Sequence, residues 1–291
     1  MPRAGNRIHT GAGRQRPAPV CVWTLLLAAA TAFAIPQTGT AGCGTERIDE
    51  RSRVAAVIDG DTIVLGDGRH LRLIGLNTPE LGRDGKAPEP GAIAARDQLR
   101  ALIFTNRQQV DLRFDQERQD HYGRLLAHAF VADGRNITEQ LLRAGAGSQL
   151  VVPPNTWQVS CYQAAVNDAR RQRKGIWALD EYRPIPADQL GLRSEGFHLV
   201  RGRISHVSAD TRAVWLNFVG NFAAHIDRHD LANFTDINPE KLSGAEIEVQ
   251  GWVQARKGRL SLRLRHPTAL KIIAQPVVSS DLPSTKSSPV E

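Results

Sequence analysis

The residues of this chain that are best suited to chemistry lie in one short stretch, residues 59–80. The candidates are the carboxylates of Asp59, Asp61 and Glu80, the guanidinium of Arg72 and the amide of Asn77. Arginine donates two parallel hydrogen bonds to a phosphate, and carboxylate and carbonyl oxygens are the ligands that Ca²⁺ prefers. A further carboxylate can take a proton from an attacking water. Together these groups would suit the hydrolysis of a phosphodiester.

Each of these residues also fits an ordinary structural role. Asp-Gly is a turn pair, so Asp59 and Asp61 can simply cap turns, and Asn77 can form a turn of the same kind. Arg72 can be an exposed strand residue. Only the joint spacing of these residues with others further along the chain separates the two interpretations.

Alternating apolar residues predict the elements that carry these side chains. Strands are expected at about 53–58, 61–66, 69–75, 109–115 and 124–131, which suggests a small antiparallel barrel. Asp67-Gly68 separates two of these strands and predicts a tight hairpin in which both turn residues have positive φ. Because the two strands pair around that turn, Asp61 and Arg72 can face the same side of the sheet.

Three helices are expected around this barrel. The first opens between 88 and 91 and runs to about 104. The second runs from Asn136 to Gly145, with Asn136 as the cap and Glu139 reaching back to complete a capping box. The third spans about 160–174 and ends at Gly175. Its basic C-terminal turn suits the helix dipole, so we interpret that run as structural.

The order and spacing of several motifs resemble the staphylococcal nuclease (thermonuclease) family over roughly residues 54–177. They are I-D-G-D-T at 58–62, L-R-L-I-G at 71–75, N-T-P-E at 77–80, D-x-Y-G-R at 120–124 and K-G-I-W at 174–177. The resemblance implies a mainly β fold with α-helices, namely an OB-fold five-stranded β-barrel plus three helices. It also implies Ca²⁺-dependent cleavage of a nucleic-acid substrate, DNA or RNA.

The resemblance assigns roles to single residues through these motifs. The implied metal ligands are Asp61, Asn77 and the carbonyl of Thr78. The implied catalytic residues are Glu80 as general base, with Arg72 and Arg124 holding the phosphate and stabilising a phosphorane-like transition state. The residues that match supporting positions are Asp59, Asp120 and Tyr122.

Two departures from the family pattern bear on function. Asn77 stands where the pattern has aspartate, so the site loses one negative charge and we expect weaker Ca²⁺ binding or a changed metal preference. Leu150 and Val152 stand where the family has tyrosines beside its nucleoside pocket, and base stacking contributes about 1–3 kcal/mol per base. These departures keep open an alternative function, a catalytically weak or inactive module that keeps the fold and binds nucleic acid or protein.

A second domain follows the predicted first domain, which spans residues 53–182. Residues 197–274 predict a small β-barrel of six short strands, with Trp215, Phe218, Phe222 and Trp252 in a compact core. Residues 259–265 alternate so that three arginines share one face. Such a face can follow a phosphate backbone, be an ordinary solvated surface, or blunt an exposed sheet edge. Residues 275–291 predict a disordered tail.

The N-terminus predicts export to the periplasm or the medium. Residues 1–34 join four arginines to a largely apolar run that is short for a membrane span. We therefore expect a removable signal peptide, a linker at 35–52, and no stable membrane span in the mature chain. The formal net charge is +7, and the four leader arginines account for enough of it to leave only about +3. Charge alone therefore does not indicate a nucleic-acid partner.

Cysteine usage agrees with export. Removal of the leader would leave Cys43 and Cys161, and an even pair in an exported protein favours a disulfide. In an alternative interpretation, Ala41-Gly42-Cys43 is a lipoprotein-type site and Cys43 carries a lipid, which leaves Cys161 as a free thiol. The two interpretations exclude each other because both use the Cys43 sulfur.

Overall fold

A computed structural model gives the fold of residues 42–82, 85–256 and 258–275. The predicted signal peptide, the first part of the predicted linker and the tail from residue 276 lie outside the described residues. Those predictions, and the boundaries predicted for the two domains, remain predictions.

Five strands close into a barrel in the first half of the described chain. Strands are numbered in chain order, and these are β1 (Glu50–Val57), β2 (Thr62–Leu65), β3 (His70–Leu73), β5 (Gln109–Arg113) and β6 (Leu125–Phe130). Their order around the barrel is β1-β2-β3-β6-β5, and β3 runs parallel to β6. Alternate apolar side chains fill the interior, among them Ile63, Leu65 and Leu71, which are fully buried. Burial of each such side chain contributes about 1.5–3 kcal/mol. The predicted five-stranded barrel is confirmed.

A two-stranded sheet lies beside the barrel and carries one candidate residue. It consists of β4 (Gly75–Asn77) and β7 (Ser148–Leu150), which pair antiparallel with Asn77 opposite Ser148. Gly75 has a φ of +87°, and a β-carbon there would lie 2.4 Å from the Tyr162 ring. Only glycine allows the chain to leave β3 at this point and pass so close to that ring.

The β2–β3 hairpin turns differently from the prediction. Among its turn residues only Gly68 has positive φ, at 89°. The Gly68 amide donates to the Leu65 carbonyl at 2.9 Å, and the Leu65 amide donates to the Arg69 carbonyl at 2.9 Å. Residues 66–68 therefore form a three-residue loop in which a left-handed glycine follows the turn. The predicted positive φ at Asp67 was wrong, but the pairing that matters, Thr62 opposite Arg72, is present.

Three α-helices pack on the barrel as predicted. They are α1 (Ala92–Thr105), α2 (Ile137–Ala144) and α3 (Val159–Arg171). α3 ends three residues before the predicted end, because Arg173 adopts a positive φ of 51°. The apolar face predicted for α1 is buried at Ala95, Leu99 and Ile103.

Only one of the two hydrogen bonds of the predicted capping box forms at the N-terminus of α2. The Asn136 side chain accepts a hydrogen bond from the Glu139 amide at 3.0 Å, as predicted. Glu139 does not reach back to complete a capping box. Its carboxylate instead accepts from the Cys43 amide at 2.8 Å and pairs with Arg143 at 2.9 Å. A long-range contact thus takes the place of the predicted local one.

A disulfide joins Cys43 to Cys161, with the two Cα atoms 5.8 Å apart and a sequence separation of 118. Cys43 is fully buried, and its carbonyl accepts from the Asn136 amide group at 3.2 Å. The bridge fixes the segment before β1 onto α2 and α3. The sulfur that a lipid on Cys43 would need is bonded to Cys161.

A second barrel follows. Its strands are β8 (Ile185–Pro186), β9 (Gly196–Ala209), β10 (Ala213–Phe218), β11 (Phe222–Asp227), β12 (Glu246–Arg256), β13 (Arg259–Arg263) and β14 (Leu270–Ala274). Because β12 pairs with β9 as well as with β13, the strands β9-β10-β11-β13-β12 close into a barrel. β11 runs parallel to β13. The predicted second β-barrel is confirmed.

Its aromatic core differs from the prediction. Phe218 and Phe222 are buried, at 3% and 0% exposure. Trp215 lies between the inward-facing Val214 and Leu216, so strand alternation turns it outward. Trp252 is 43% exposed. The prediction of a core built from all four residues was therefore wrong for both tryptophans.

Named contacts join the two barrels. Arg170 of α3 forms an ion pair with Glu248 of β12 at 2.7 Å. Gln250 donates to the Gln149 carbonyl at 3.3 Å. The basic turn at the end of α3 is held in ion pairs. Arg170 pairs with Glu248, and Arg171 pairs with Asp168 within the helix. Both pairs agree with the interpretation of this turn as structural. Among the described residues, no helix combines the length and apolarity needed to span a membrane.

Candidate active site

Asp61 and Arg72 meet at the open end of the β2–β3 hairpin. Thr62 and Arg72 are opposite each other in the register, so the residue before β2 is brought beside Arg72. The Arg72 guanidinium lies 3.0 Å from an oxygen of Asp61, and the two side chains are 13% and 8% exposed. Arg72 also donates to the Leu73 carbonyl at 3.0 Å. The predicted placement of the two residues on one side of the sheet is what the structure has.

Thr78 ties the end of β4 to the same carboxylate. Its amide and its hydroxyl both donate to the Asp61 oxygen that faces Arg72, at 2.9 and 3.0 Å. The other Asp61 oxygen accepts from the Thr62 hydroxyl at 3.1 Å. Asp61 therefore orients three chain segments around one buried carboxylate.

Asn77 is the last residue of β4 and directly precedes Thr78. It is buried, with 8% exposure. A β-carbon at Gly147 would lie 2.3 Å from its carbonyl oxygen, so the glycine allows the two strands to approach here. Asn77 is thus fixed by the backbone beside the residue that Asp61 holds.

Asp59 and Glu80 complete an acidic cluster. Burial raises the pKa of Asp59, and the charge of Asp61 raises it further. Burial also raises the pKa of Glu80, followed by the charges of Asp61, Asp59 and Glu89, while Arg72 opposes the shift. Burial is thus the main cause of both shifts, and the neighbouring carboxylates add to it.

A small cavity opens between Asp59 and Glu80. Its volume is about 150 Å³, and it is lined by Ile58, Asp59, Glu80, Leu81 and Gly82. A larger cavity of about 420 Å³ lies between β1 and α1, and none of the candidate residues line it. We assign the chemistry to the smaller one because the titratable groups are there.

Arg124 lies apart from this cluster and has its own support. Its Nε donates to an oxygen of Asp120 at 2.7 Å, and the other oxygen accepts the Arg124 and Tyr122 amides at 2.9 and 3.0 Å. Burial opposes ionisation of Asp120, but the hydrogen bonds from Arg124 outweigh it and lower the pKa. Tyr122 is 74% exposed, with its ring centre 5.5 Å from the guanidinium carbon.

The register relates Arg124 to Arg72. Arg72 is opposite Leu126 in the parallel β3–β6 pair, and Arg124 precedes β6 by one residue. Extending that register puts the Cα atoms of Arg72 and Arg124 about 8 Å apart on one side of the sheet. The Arg124 guanidinium is paired with Asp120, and that of Arg72 with Asp61.

The donors around Asp61 fit a hard cation such as Ca²⁺. They are carboxylate, amide and carbonyl oxygens, the ligands that Ca²⁺ prefers in proteins. Among the described residues, Asp59, Asp61 and Glu80 do not bring one oxygen each within 4.8 Å of one another. The ligands that the family resemblance implies, Asp61, Asn77 and the Thr78 carbonyl, lie on segments joined by the 2.9 Å hydrogen bond from the Thr78 amide to Asp61.

One residue of the cluster escaped the sequence analysis. Glu89 accepts from the Glu80 amide at 2.9 Å, and the Glu89 amide donates to the Glu80 carbonyl at 2.9 Å. It fixes the backbone of Glu80 across a loop of nine positions. No spacing rule predicts such a contact, because it belongs to an irregular loop.

At the positions where the family has tyrosines beside its nucleoside pocket, Leu150 and Val152 are both half-buried, and neither supplies an aromatic ring.

Comparison with known proteins gives a consistent result for the first barrel. A family model described as staphylococcal nuclease homologue matches residues 70–179. The thermonuclease of Staphylococcus intermedius is 33% identical over 127 residues, which are 43% of this chain and 74% of that protein. The thermonuclease of Staphylococcus hyicus is 31% identical over 133 residues, 45% of this chain and 77% of that protein. An uncharacterized endonuclease of Escherichia coli O157:H7 is 31% identical over 142 residues, which are 47% of this chain and 82% of that protein. The family match ends before β8 and the second barrel.

Proposed function

Because the chain belongs to the staphylococcal nuclease homologue family, we propose that it is an exported, Ca²⁺-dependent nuclease that hydrolyses phosphodiester bonds of DNA, RNA or both. The observation that carries the proposal is the buried Arg72–Asp61 ion pair at 3.0 Å, with Glu80 in the same acidic cluster. The pair joins a phosphate-binding group to a metal-binding group. The Cys43–Cys161 disulfide supports export, since disulfides persist in oxidising compartments.

The reaction we propose is attack of water on phosphorus. The Glu80 carboxylate takes a proton from the attacking water as its oxygen bonds to phosphorus. Arg72 and Arg124 donate hydrogen bonds to the phosphate oxygens, where negative charge grows in the transition state. The bond to the leaving ester oxygen then breaks, and that oxygen takes a proton from solvent. When bound by Asp61, Asn77 and Thr78, Ca²⁺ supplies positive charge to a non-bridging oxygen.

The supporting residues have definite tasks in this scheme. Asp120 fixes the guanidinium of Arg124 through its 2.7 Å hydrogen bond. Thr78 fixes Asp61, and Glu89 fixes the backbone of Glu80. Positioning of this kind matters because misplacement of a catalytic group by 1 Å lowers the rate about 100-fold.

The test is degradation of plasmid DNA and of RNA by the full chain in Ca²⁺ and in EDTA. Glu80→Gln removes the base with little change in shape and should lower the rate by about 10²- to 10⁴-fold. Arg72→Lys keeps the charge near Asp61 but loses the paired donors, and should lower it by about 10²-fold. The matched control is Glu46→Gln, which makes the same change at an exposed position outside the acidic cluster. Equal cleavage in EDTA, or full activity of Glu80→Gln, would refute the proposal.

A second function, a binding module without useful catalysis, is favoured by Asn77 and by the two aliphatic residues Leu150 and Val152. It predicts that the wild-type chain binds oligonucleotide but leaves it intact at every Ca²⁺ concentration. The same assay separates the two functions. Retention of the whole Arg72–Asp61–Thr78–Glu80 arrangement favours the nuclease.

A further inference from the structure

The second barrel has an outer face that the proposed hydrolytic site does not use. Its strand order is β9-β10-β11-β13-β12, and that of the first barrel is β1-β2-β3-β6-β5. When the strands of each barrel are counted along the chain, the two orders are the same, and the parallel pair (β11 with β13, β3 with β6) occupies the same place in both. Both barrels therefore have OB-fold topology. In this topology the outer side of the second and third strands is a surface suited to oligonucleotides. In the second barrel those strands are β10 and β11.

The arginines of this face protrude from a central strand. β13 pairs with β11 on one side and with β12 on the other. It has no free edge, so its arginines do not serve to blunt one. That removes one of the three explanations considered for the alternating sequence 259–265.

The charges of these arginines are only partly balanced. Arg263 forms ion pairs with Asp227 at 2.9 Å and Asp230 at 2.8 Å. Arg259 donates to the amide oxygen of Asn217, which carries no charge. Arg256 is exposed and stands directly opposite Arg259 in the β12–β13 register. Neither Arg256 nor Arg259 has an ion pair among the described residues. Like charges opposite each other repel, so an anion between them would stabilise the face.

A stacked aromatic pair lies on the same side. Trp215 and His225 are opposite each other on β10 and β11, with ring centres 4.6 Å apart and planes inclined by 30°. The indole nitrogen donates to Asp210 at 3.2 Å, which fixes the ring. Trp215 remains partly exposed. A fixed, partly exposed indole is a surface on which an unpaired base can stack.

One row of residues separates the aromatic pair from Arg256 and Arg259, whereas Arg263 stands opposite His225. One row of the face runs Asn217, Ala223 and Ser261 across β10, β11 and β13. The next row on one side holds Trp215, His225 and the ion-paired Arg263, and the next on the other holds Arg259 and Arg256. The rows are about 7 Å apart along the strands, close to the spacing of successive phosphates in an extended single strand.

We propose that this face binds single-stranded nucleic acid, with a base stacked on Trp215 and phosphates held by Arg256 and Arg259. A double strand has no free base for the indole, so the occupant is single-stranded. The site is separate from the hydrolytic cluster, and its existence does not depend on the proposed nuclease activity. It would hold a strand on the same chain as that activity.

The test is binding of a 5′-fluorescein-labelled 20-mer of thymidylate, measured by anisotropy with the full chain in EDTA. All proteins carry Glu80→Gln, so that no cleavage is measured. Trp215→Ala should weaken binding by about 5- to 150-fold, and Trp215→Phe should restore most of it. Arg256→Gln and Arg259→Gln should each reduce the slope of log affinity against log salt by about 0.7. The control is Arg201→Gln, which removes an exposed arginine of β9 that pairs with Glu246 of β12.

Thermal melts of each variant exclude unfolding as the cause of lost binding. The proposal is overturned if the full chain does not bind the oligonucleotide. It is also overturned if folded Trp215→Ala and Arg259→Gln bind with wild-type affinity and salt dependence, or if Arg201→Gln loses as much affinity as Arg259→Gln. A duplex of the same length competing as well as the single strand would contradict the stacking argument.

Discussion

Replacing Asn77 with aspartate should tighten Ca²⁺ binding and destabilise the Ca²⁺-free protein at once. The cluster already contains Asp59, Asp61 and Glu80 against the single positive charge of Arg72. Asn77 is 8% exposed, so a new carboxylate would have little water to stabilise it. With Ca²⁺ bound, the same carboxylate would be a charged ligand in place of a neutral one.

The magnitudes follow from the contacts of the neighbouring residue. The Thr78 amide lies 2.9 Å from Asp61, so a carboxylate on the preceding residue would lie about 6 Å from Asp61. At an effective dielectric constant of about 20 this repulsion amounts to roughly 3 kcal/mol, part of which Arg72 offsets. We expect the free energy of unfolding in EDTA to fall by about 1–2 kcal/mol, and Tm by about 2–8 °C. We expect the Ca²⁺ midpoint to fall about tenfold.

The assay is a Ca²⁺ titration followed by thermal unfolding and, separately, by plasmid cleavage. Asn167→Asp is the matched control, because it adds the same charge at an exposed position of α3. It should leave both the Ca²⁺ midpoint and Tm in EDTA unchanged. If Asn77→Asp melts like the wild type in EDTA and shifts neither midpoint, Asn77 does not border the cation and the reasoning fails.

Three further predictions concern the frame around the site. Cys161→Ser opens a loop of 118 positions and should lower the free energy of unfolding by up to about 5 kcal/mol in denaturant titrations. Burial lowers the pKa of His128 in the folded protein, so the unfolded chain binds a proton that the folded one does not, and stability is lost as pH falls below about 6.5. His128→Gln should flatten that loss by up to about 1.4 kcal/mol per pH unit between pH 7.5 and 5. Gly75→Ala forces a β-carbon to 2.4 Å from Tyr162 and should cost more than about 3 kcal/mol, whereas Gly68→Ala, with φ of +89° and open space, should cost only about 1 kcal/mol.

The chain itself supplies controls for these variants. Dithiothreitol should destabilise the wild type but leave Cys161→Ser unaffected, and equal loss in both would argue against the bridge as the cause. His70→Gln changes an exposed histidine and should keep the wild-type pH dependence. Equal stability of the two glycine variants would mean that contact with Tyr162 does not limit the position of β4.

The first barrel and half of the site follow from the sequence. Strand alternation and the Asp67-Gly68 turn are enough to bring Asp61 beside Arg72, because strand pairing around one turn has few registers. The turn type was missed because Asp-Gly also suits a three-residue loop in which only the glycine is left-handed. The error changed the backbone of one residue and not the register.

Other details depend on contacts that are distant in the sequence. Glu139 has the spacing of a capping box, but its carboxylate accepts a hydrogen bond from the Cys43 amide, 96 positions away in the sequence. Trp215 and Trp252 were predicted as core residues, although alternation with Val214 and Leu216 already turns Trp215 outward. The strand period was therefore the better guide to the position of Trp215.

One buried chain of contacts connects the disulfide to the candidate metal site. The Cys43 carbonyl accepts from Asn136, and Asn136 also donates to the Tyr162 hydroxyl at 2.9 Å. The Tyr162 ring faces Gly75, the first residue of the strand that ends in Asn77. The position of β4 therefore depends on Tyr162, and that of Tyr162 on the bridged segment. It follows that Cys161→Ser and Gly75→Ala should raise the Ca²⁺ midpoint as well as lower stability, although neither residue belongs to the metal site.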